Sequence, residues 1–300
     1  MPVDSATAPR AALAGTGRPP VRRPPGRFWR RLPVRVLLVL LVLVELYPIF
    51  WLLMGSFKTQ NEFFANPTWA LPESFGLQNY ADAWVGADLA RNLLNSVLVT
   101  VPSLVLMIAL GVAAAFALEV MVWKGRGTVL MGFLAGIMIP GQMILVPLFT
   151  VYFRTGLTGT LAPLIITYTV MGLPLTVFLL TAYFRAIPRE VFEAATIDGA
   201  GMLKSFWLIG VPMMRNAIVT IALVEFFSVW NDLLIALTFT TDESLQTVQV
   251  GLLTFSDEYG STQYGPLFAA ISLNVIGIGV LYLFLNKQIM AGLASGSLKG

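Results

Sequence analysis

Six long, predominantly apolar runs stand out in this chain, at residues 36–55, 96–118, 128–153, 161–184, 211–239 and 266–285. A helix needs about 20 apolar residues to cross about 30 Å of hydrocarbon, so each run is of spanning length. Barrel strands would instead alternate in polarity. Composition points the same way: 57% of residues are hydrophobic, 12% are charged and the mean hydropathy is +0.78, whereas soluble domains carry about a quarter charged residues. The sequence predicts an all-α polytopic membrane protein with six transmembrane helices.

Lys and Arg set the expected orientation, because cytoplasmic loops keep an excess of both. Arg10, Arg18, Arg22, Arg23, Arg27, Arg30, Arg31 and Arg35 all precede the first run. If that tail is cytoplasmic, 16 of the 19 basic residues fall on its side. The opposite side receives Lys58, Arg91 and Arg154, together with Glu62, Glu73, Asp82, Asp88, Asp242, Glu243, Asp257 and Glu258. Both termini are therefore expected in the cytoplasm. Residues 1–34 form a basic tail rich in Pro, Gly, Ala and Arg, without the apolar mass to order itself. It serves topology or touches anionic headgroups. No cleavable signal peptide is expected, since the first apolar core is of spanning length and no small-residue cleavage site follows it. Residues 35–290 form the transmembrane domain, and 291–300 a second cytoplasmic tail.

Cysteine and histidine are absent. Disulfides, thiol nucleophiles, the usual zinc sites and a Ser-His-Asp triad are thereby excluded. The stretch "GAGMLKS" at 199–205 places a Lys-Ser pair near glycines, but Leu203 stands where a phosphate-cradling loop requires Gly. The chain is not expected to be an enzyme, to need a cofactor or metal, or to meet nucleic acid.

Polar residues inside the runs carry the next clue, because an acid at mid-helix costs about 2.5–3.5 kcal/mol on insertion scales. Glu225, Ser228 and Asp232 lie three and seven residues apart, on one face of a helix. With Asn231 beside them, they line either a translocation path or a hydrogen-bonded helix contact. Glu45 and Asn274 are single polar residues in the first and last runs; packing suits both, and Asn274 is also a path candidate. Pro48, Pro102, Pro140, Pro147 and Pro174 permit kinks.

Between the fourth and fifth runs lies "RAIPREVFEAATIDGAGMLKSFWLIG", residues 185–210. Its charges balance: Arg185, Arg189 and Lys204 against Glu190, Glu193 and Asp198. Pro188 can open a short helix, Ala194 and Ala195 are strong formers, and Asp198-Gly199 signals a turn. Met202, Phe206 and Ile209 then recur at helical spacing. The pattern reads as two short helices with a hinge, or as an amphipathic segment lying on the membrane.

Glu193-Ala194-Ala195, Gly199 after three further residues, Ile209 after nine more and Pro212 after two resemble the EAA signature of ABC-importer permeases. "WNDLLIAL" at 230–237 resembles the family's WN segment, and "IPGQMILVPLF" at 139–149 a stretch of its third span. The ending "GLASGSLKG" at 292–300 is similar to that of the carbohydrate-importer branch, the maltose-transporter second-permease type. The resemblance covers about residues 35–300.

The resemblance implies a permease subunit in a bacterial cytoplasmic (inner) membrane, forming half of a translocation path for a carbohydrate. Its EAA helix would sit in a cleft of a separate ATPase. Glu193 would be the charged contact, Ala194 and Ala195 would allow close approach, and Asp198-Gly199 would make the turn. Ile209 and Pro212 would tie the second short helix to the fifth span. A second homologous permease, an ATPase dimer and an extracytoplasmic solute-binding protein are the implied partners, alongside the lipid bilayer. Trp230, beside Asn231 and Asp232, would either stack on a sugar or anchor the span at the interface. The alternatives are a glycerol-phosphate-type solute in the same branch, or a secondary transporter, which would show paired repeats with broken helices.

Overall fold

The computed structural model describes residues 27–256 and 261–296, with side chains for 32–256 and 261–284. Most of the expected basic tail, the acids Asp257 and Glu258, and the closing residues 297–300 lie outside the described residues. The helices are α1 (Arg27–Gly55), α2 (Gln60–Ala65), α3 (Gln78–Gly86), α4 (Leu89–Glu119), α5 (Arg126–Ile137), α6 (Gly141–Arg154) and α7 (Ala162–Arg185). They continue with α8 (Arg189–Ile197), α9 (Met202–Ser205), α10 (Val211–Trp230), α11 (Leu234–Phe239), α12 (Val248–Gly251) and α13 (Tyr264–Gly296). Helix α1 thus starts inside the expected first tail, and α13 runs into the expected second one. The described residues divide after Ile49 into two compact units: the first part of α1, and everything that follows.

In the second unit α4 and α7 lie side by side, α5 and α10 pack against both, and α13 packs against α10 and α3. In lipid the hydrophobic effect gives helices little reason to associate, so close packing and interhelical hydrogen bonds must do it. Among the described residues three clusters result, one of which, with Ala83, Leu89, Val248 and Ala269, joins α3, α4, α12 and α13. Val112, Ala115, Phe116, Leu180, Phe184, Met214, Ala217 and Ile221 fill the end near the 185–210 loop. Val99, Met107, Tyr152, Leu164, Tyr168, Val229 and Phe239 fill the opposite end. Two buried hydroxyls turn back onto their own helices: Ser103 donates to the Val99 carbonyl at 2.7 Å and Thr169 to that of Ile165 at 2.7 Å. Such bonds suit a medium without water.

Two of the six expected spans are not continuous helices. The third, expected over 128–153, breaks into α5 and α6, which meet at 96°. Pro140 supplies no N–H, and its ring disfavours helical backbone at Ile139; Pro140 itself is extended, with φ −61° and ψ 120°. The sequence marks Pro140 as a kink, and the structure makes it a right-angled corner. The fifth, expected over 211–239, stops at Trp230 and resumes as α11. Asp232 explains the restart: its Oδ1 accepts the Ile235 and Ala236 amides at 2.9 and 3.3 Å, as a helix-start carboxylate does. The two displaced pieces pack on each other, Phe149 stacking on Phe239 at 6.5 Å and Tyr152 meeting Phe239 edge-on at 5.3 Å.

At the end away from the 185–210 loop, α2 and α3 cap the bundle. Thr59 and Glu62 form a reciprocal capping box at the start of α2. Glu62 also accepts the Glu73 amide at 2.7 Å. That bond, followed by those from Thr59, holds its carboxyl below the ordinary glutamate range against the opposing effect of burial. The Asn79 amide bonds the Ser56 and Lys58 carbonyls, both at 2.8 Å, fixing α3 to the chain leaving α1.

Candidate functional site

Two places collect the candidate residues. The first is the 185–210 loop. Pro188 precedes α8 as its cap residue, with φ −57°. Helix α8 then closes in a Schellman motif: the Ala200 amide bonds the Ala195 carbonyl at 2.8 Å, and the Gly199 amide that of Thr196 at 3.0 Å. Gly199 stands at φ +77°, where side-chain-bearing residues are strained. Glycine is required there by backbone conformation, since a Cβ would meet nothing within 4 Å.

The amphipathic face of α8 separates its signature residues. Ala195 is buried, while Glu193, Ala194 and Asp198 are exposed, as is Ile197 at 86%. The two alanines therefore differ in role: Ala195 packs inside this chain, and Ala194 faces outward. Glu193 and Arg189 border a cleft of about 600 Å³ between α8 and the ends of α4 and α7. Arg185, counted in the sequence among the loop's balancing charges, instead grips Glu119 at the end of α4 with bonds of 3.1 and 3.3 Å.

An aromatic hub roots α8 in the bundle. Phe116 of α4 meets Phe184 at 5.7 Å, Phe192 of α8 at 5.8 Å and Phe206 at 5.1 Å, each edge-on. Gly210 lets Phe116 approach, since a Cβ there would lie 3.2 Å from the ring. Sequence reasoning missed this hub; Phe192 and Phe206 fall at helical spacings in the loop, but nothing local pairs them with Phe116. The expected second short helix is not separate either. Residues 202–230 run on as one helix through a π turn at Phe206–Gly210, with the Val211 amide bonding the Phe206 carbonyl. Ile209 lies in that wide turn and Pro212 directly after it. Pro212 has no N–H for the Leu208 carbonyl and its ring needs room there, which the wide turn provides.

The second place is a cavity of about 210 Å³ where α7 meets the end of α10. Glu225, Ser228 and Asp232 all line it, as their spacing suggests, although Asp232 reaches it from beyond the helix end. Tyr168 of α7 donates its hydroxyl to Asp232 Oδ1 at 2.9 Å. Glu225 is 4% exposed, and Oε1 accepts a long bond of 3.5 Å from Thr176. Gly172 leaves space for the other oxygen, since a Cβ there would lie 2.9 Å from Glu225 Oε2. Tyr168 and Gly172 were not singled out in the sequence; a tyrosine and a glycine in an apolar run give no local sign.

The other path candidates lie elsewhere. Trp230 donates its indole N–H to Asn274 at 3.0 Å and stacks on Phe226 at 5.4 Å, which is helix packing between α10 and α13. Asn231 is exposed, its amide turned back to the Phe227 carbonyl at 2.9 Å. The expected grouping of Trp230 with Asn231 and Asp232 is therefore not formed: Trp230 and Asn274 border a separate apolar recess.

Residues 87–293 match the family described as binding-protein-dependent transport system inner membrane component. The diacetylchitobiose uptake system permease protein NgcG of Streptomyces coelicolor is 34% identical over 264 residues, covering 88% of this chain and 87% of its own. The melibiose/raffinose/stachyose import permease protein MelC of Bacillus subtilis is 32% identical over 268 residues, covering 89% and 96%. A solved bacterial ABC transporter involved in import of the acidic polysaccharide alginate shares the fold, with a TM-score of 0.75 at 22% identity over 90% of this chain and 99% of that one. The family match spans both the α8 loop and the polar cavity, and this chain belongs to the inner-membrane components of binding-protein-dependent transport systems.

Proposed function

We propose that the chain is one of two permease subunits of an ABC importer for a carbohydrate, driven by a separate ATPase dimer that docks on α8 and supplied by an extracytoplasmic binding protein. Both termini and α8 are cytoplasmic, by the excess of Lys and Arg on that side. The observation that carries the reading is α8 itself. It is a short helix closed by Gly199, fastened to the bundle through Phe192, yet presenting Glu193, Ala194 and Ile197 outward. An exposed isoleucine beside a small residue and a carboxylate fits a protein contact better than water. Leu203 of α9 is also exposed, at 77%. Force applied there passes through Phe116 to α4 and α7, and through the continuous helix 202–230 to the polar cavity. The sugar substrate is supported by the carbohydrate named for the relatives NgcG and MelC.

The test is uptake by the reconstituted importer. Glu193→Lys is expected to abolish transport and binding-protein-stimulated ATP hydrolysis while the chain still inserts. Full uptake by that variant would remove the coupling role.

A further inference from the structure

The connector that leaves α1, residues 57–77, has its polarity reversed. Phe64, Trp69, Leu71 and Phe75 are between 60% and 78% exposed, while the charged Lys58 and Glu62 are buried. Glu73 is the one exposed charged side chain of this stretch, and it accepts the Asn66 amide at 3.1 Å. A loop lying in water would place its charges outside and its rings within. The arrangement is held from both sides: the Thr59–Glu62 capping box starts α2, and Phe75 meets Phe57 edge-on at 5.4 Å.

A span sets the depth of this connector. The Trp51 indole N–H donates to the Thr68 carbonyl at 2.8 Å, and Trp51 comes four residues before α1 ends at Gly55. At a rise of 1.5 Å per residue, about 6 Å of helix continues past that bond. The backbone at Thr68 and Trp69 therefore lies level with the end of the first span. Irregular backbone facing lipid is not tolerated in hydrocarbon, but the headgroup layer holds water and favours Trp. A surface kept for a soluble partner would stand in water when empty, beyond that level. We infer that residues 63–75 are an in-plane membrane anchor, with Trp69 and Leu71 among the phospholipid headgroups of the leaflet that the C-terminal end of α1 reaches. The anchor also holds the start of α13, since Gln60 donates to the Thr262 carbonyl at 2.6 Å and accepts the Tyr264 amide at 3.0 Å. This inference needs only that α1 spans the bilayer, and does not depend on the cargo or the motor.

The experiment uses the full chain with its co-purifying subunits in phospholipid nanodiscs. A single nitroxide-labelled cysteine is placed by Trp69→Cys or Leu71→Cys, both exposed sites in a chain without native cysteine. Asp82→Cys, at an exposed position on α3, is the water reference. Power-saturation EPR compares collisions with oxygen, which partitions into lipid, and with a water-soluble nickel chelate. The oxygen-to-nickel ratio is expected to be at least fivefold higher at 69 and 71 than at 82, and to stay so when the solute-binding protein is added. A ratio equal to that at 82 puts the connector in water and overturns the anchor. Low collision with both reagents at 69 and 71 means a protein cover and overturns it too. That cover is the binding protein if it appears only on its addition, and another subunit if it is there throughout.

Discussion

At Gly199 the cost of substitution comes from the backbone, since φ is +77° and a Cβ would touch nothing. Left-handed backbone costs an L-residue about 1–2 kcal/mol, with asparagine tolerating it best. Gly199→Val is therefore expected to distort the end of α8 and abolish uptake with insertion intact, while Gly199→Asn retains most uptake; assays of the two variants in proteoliposomes check this. Asp232 gives a second contrast. Asparagine can still accept from the Ile235 and Ala236 amides, whereas Asp232→Leu loses a cap worth about 0.5–2 kcal/mol. Uptake should fall much further in Asp232→Leu than in Asp232→Asn, with the ATPase still co-purifying in both. Gly199 was legible because Asp-Gly after a helical run is a local signal. Asp232 was half legible: its place by the cavity followed from spacing, but its work as a helix restart depends on where α10 ends.

Single elements act through the contacts that hold them. Helix α8 is only nine residues long, too short to persist alone, so its anchorage through Phe116 matters more than its propensity. Phe116→Ala, at a site 3% exposed, is expected to cost about 3–5 kcal/mol. It should also separate ATP hydrolysis from uptake, read as residual ATPase activity with transport lost. At the opposite end, α2 depends on an ionised Glu62. Its pKa lies below the ordinary value of 4.5, so the stabilisation is complete above that value and is lost as pH falls through the lower, folded one. Hydrogen exchange over residues 59–73, corrected for intrinsic rates, should accelerate in that acidic window, and Glu62→Gln should remove the pH dependence. The existence of α8 was legible from its alanines and its turn. The right-angled corner at Pro140 was not, because proline within a membrane helix gives the same local sequence whether the helix bends slightly or turns.

Over the whole molecule, apolar run length sufficed to show an all-helical membrane protein, because the bilayer fixes a minimum length for every span. It did not show which helices pair, since α4 and α7 meet through close packing whose partners lie far apart in sequence. In the proposed importer α8 receives mechanical work from a separate ATPase. The absence of native cysteine allows a direct measurement, with one cysteine placed at exposed Ala194 in the assembled importer. A short bifunctional reagent should join it to the ATPase subunit, and assembly should shield it from a water-soluble maleimide. Free labelling of Ala194→Cys in the complete, transporting assembly, with no cross-link to the ATPase, would contradict the account.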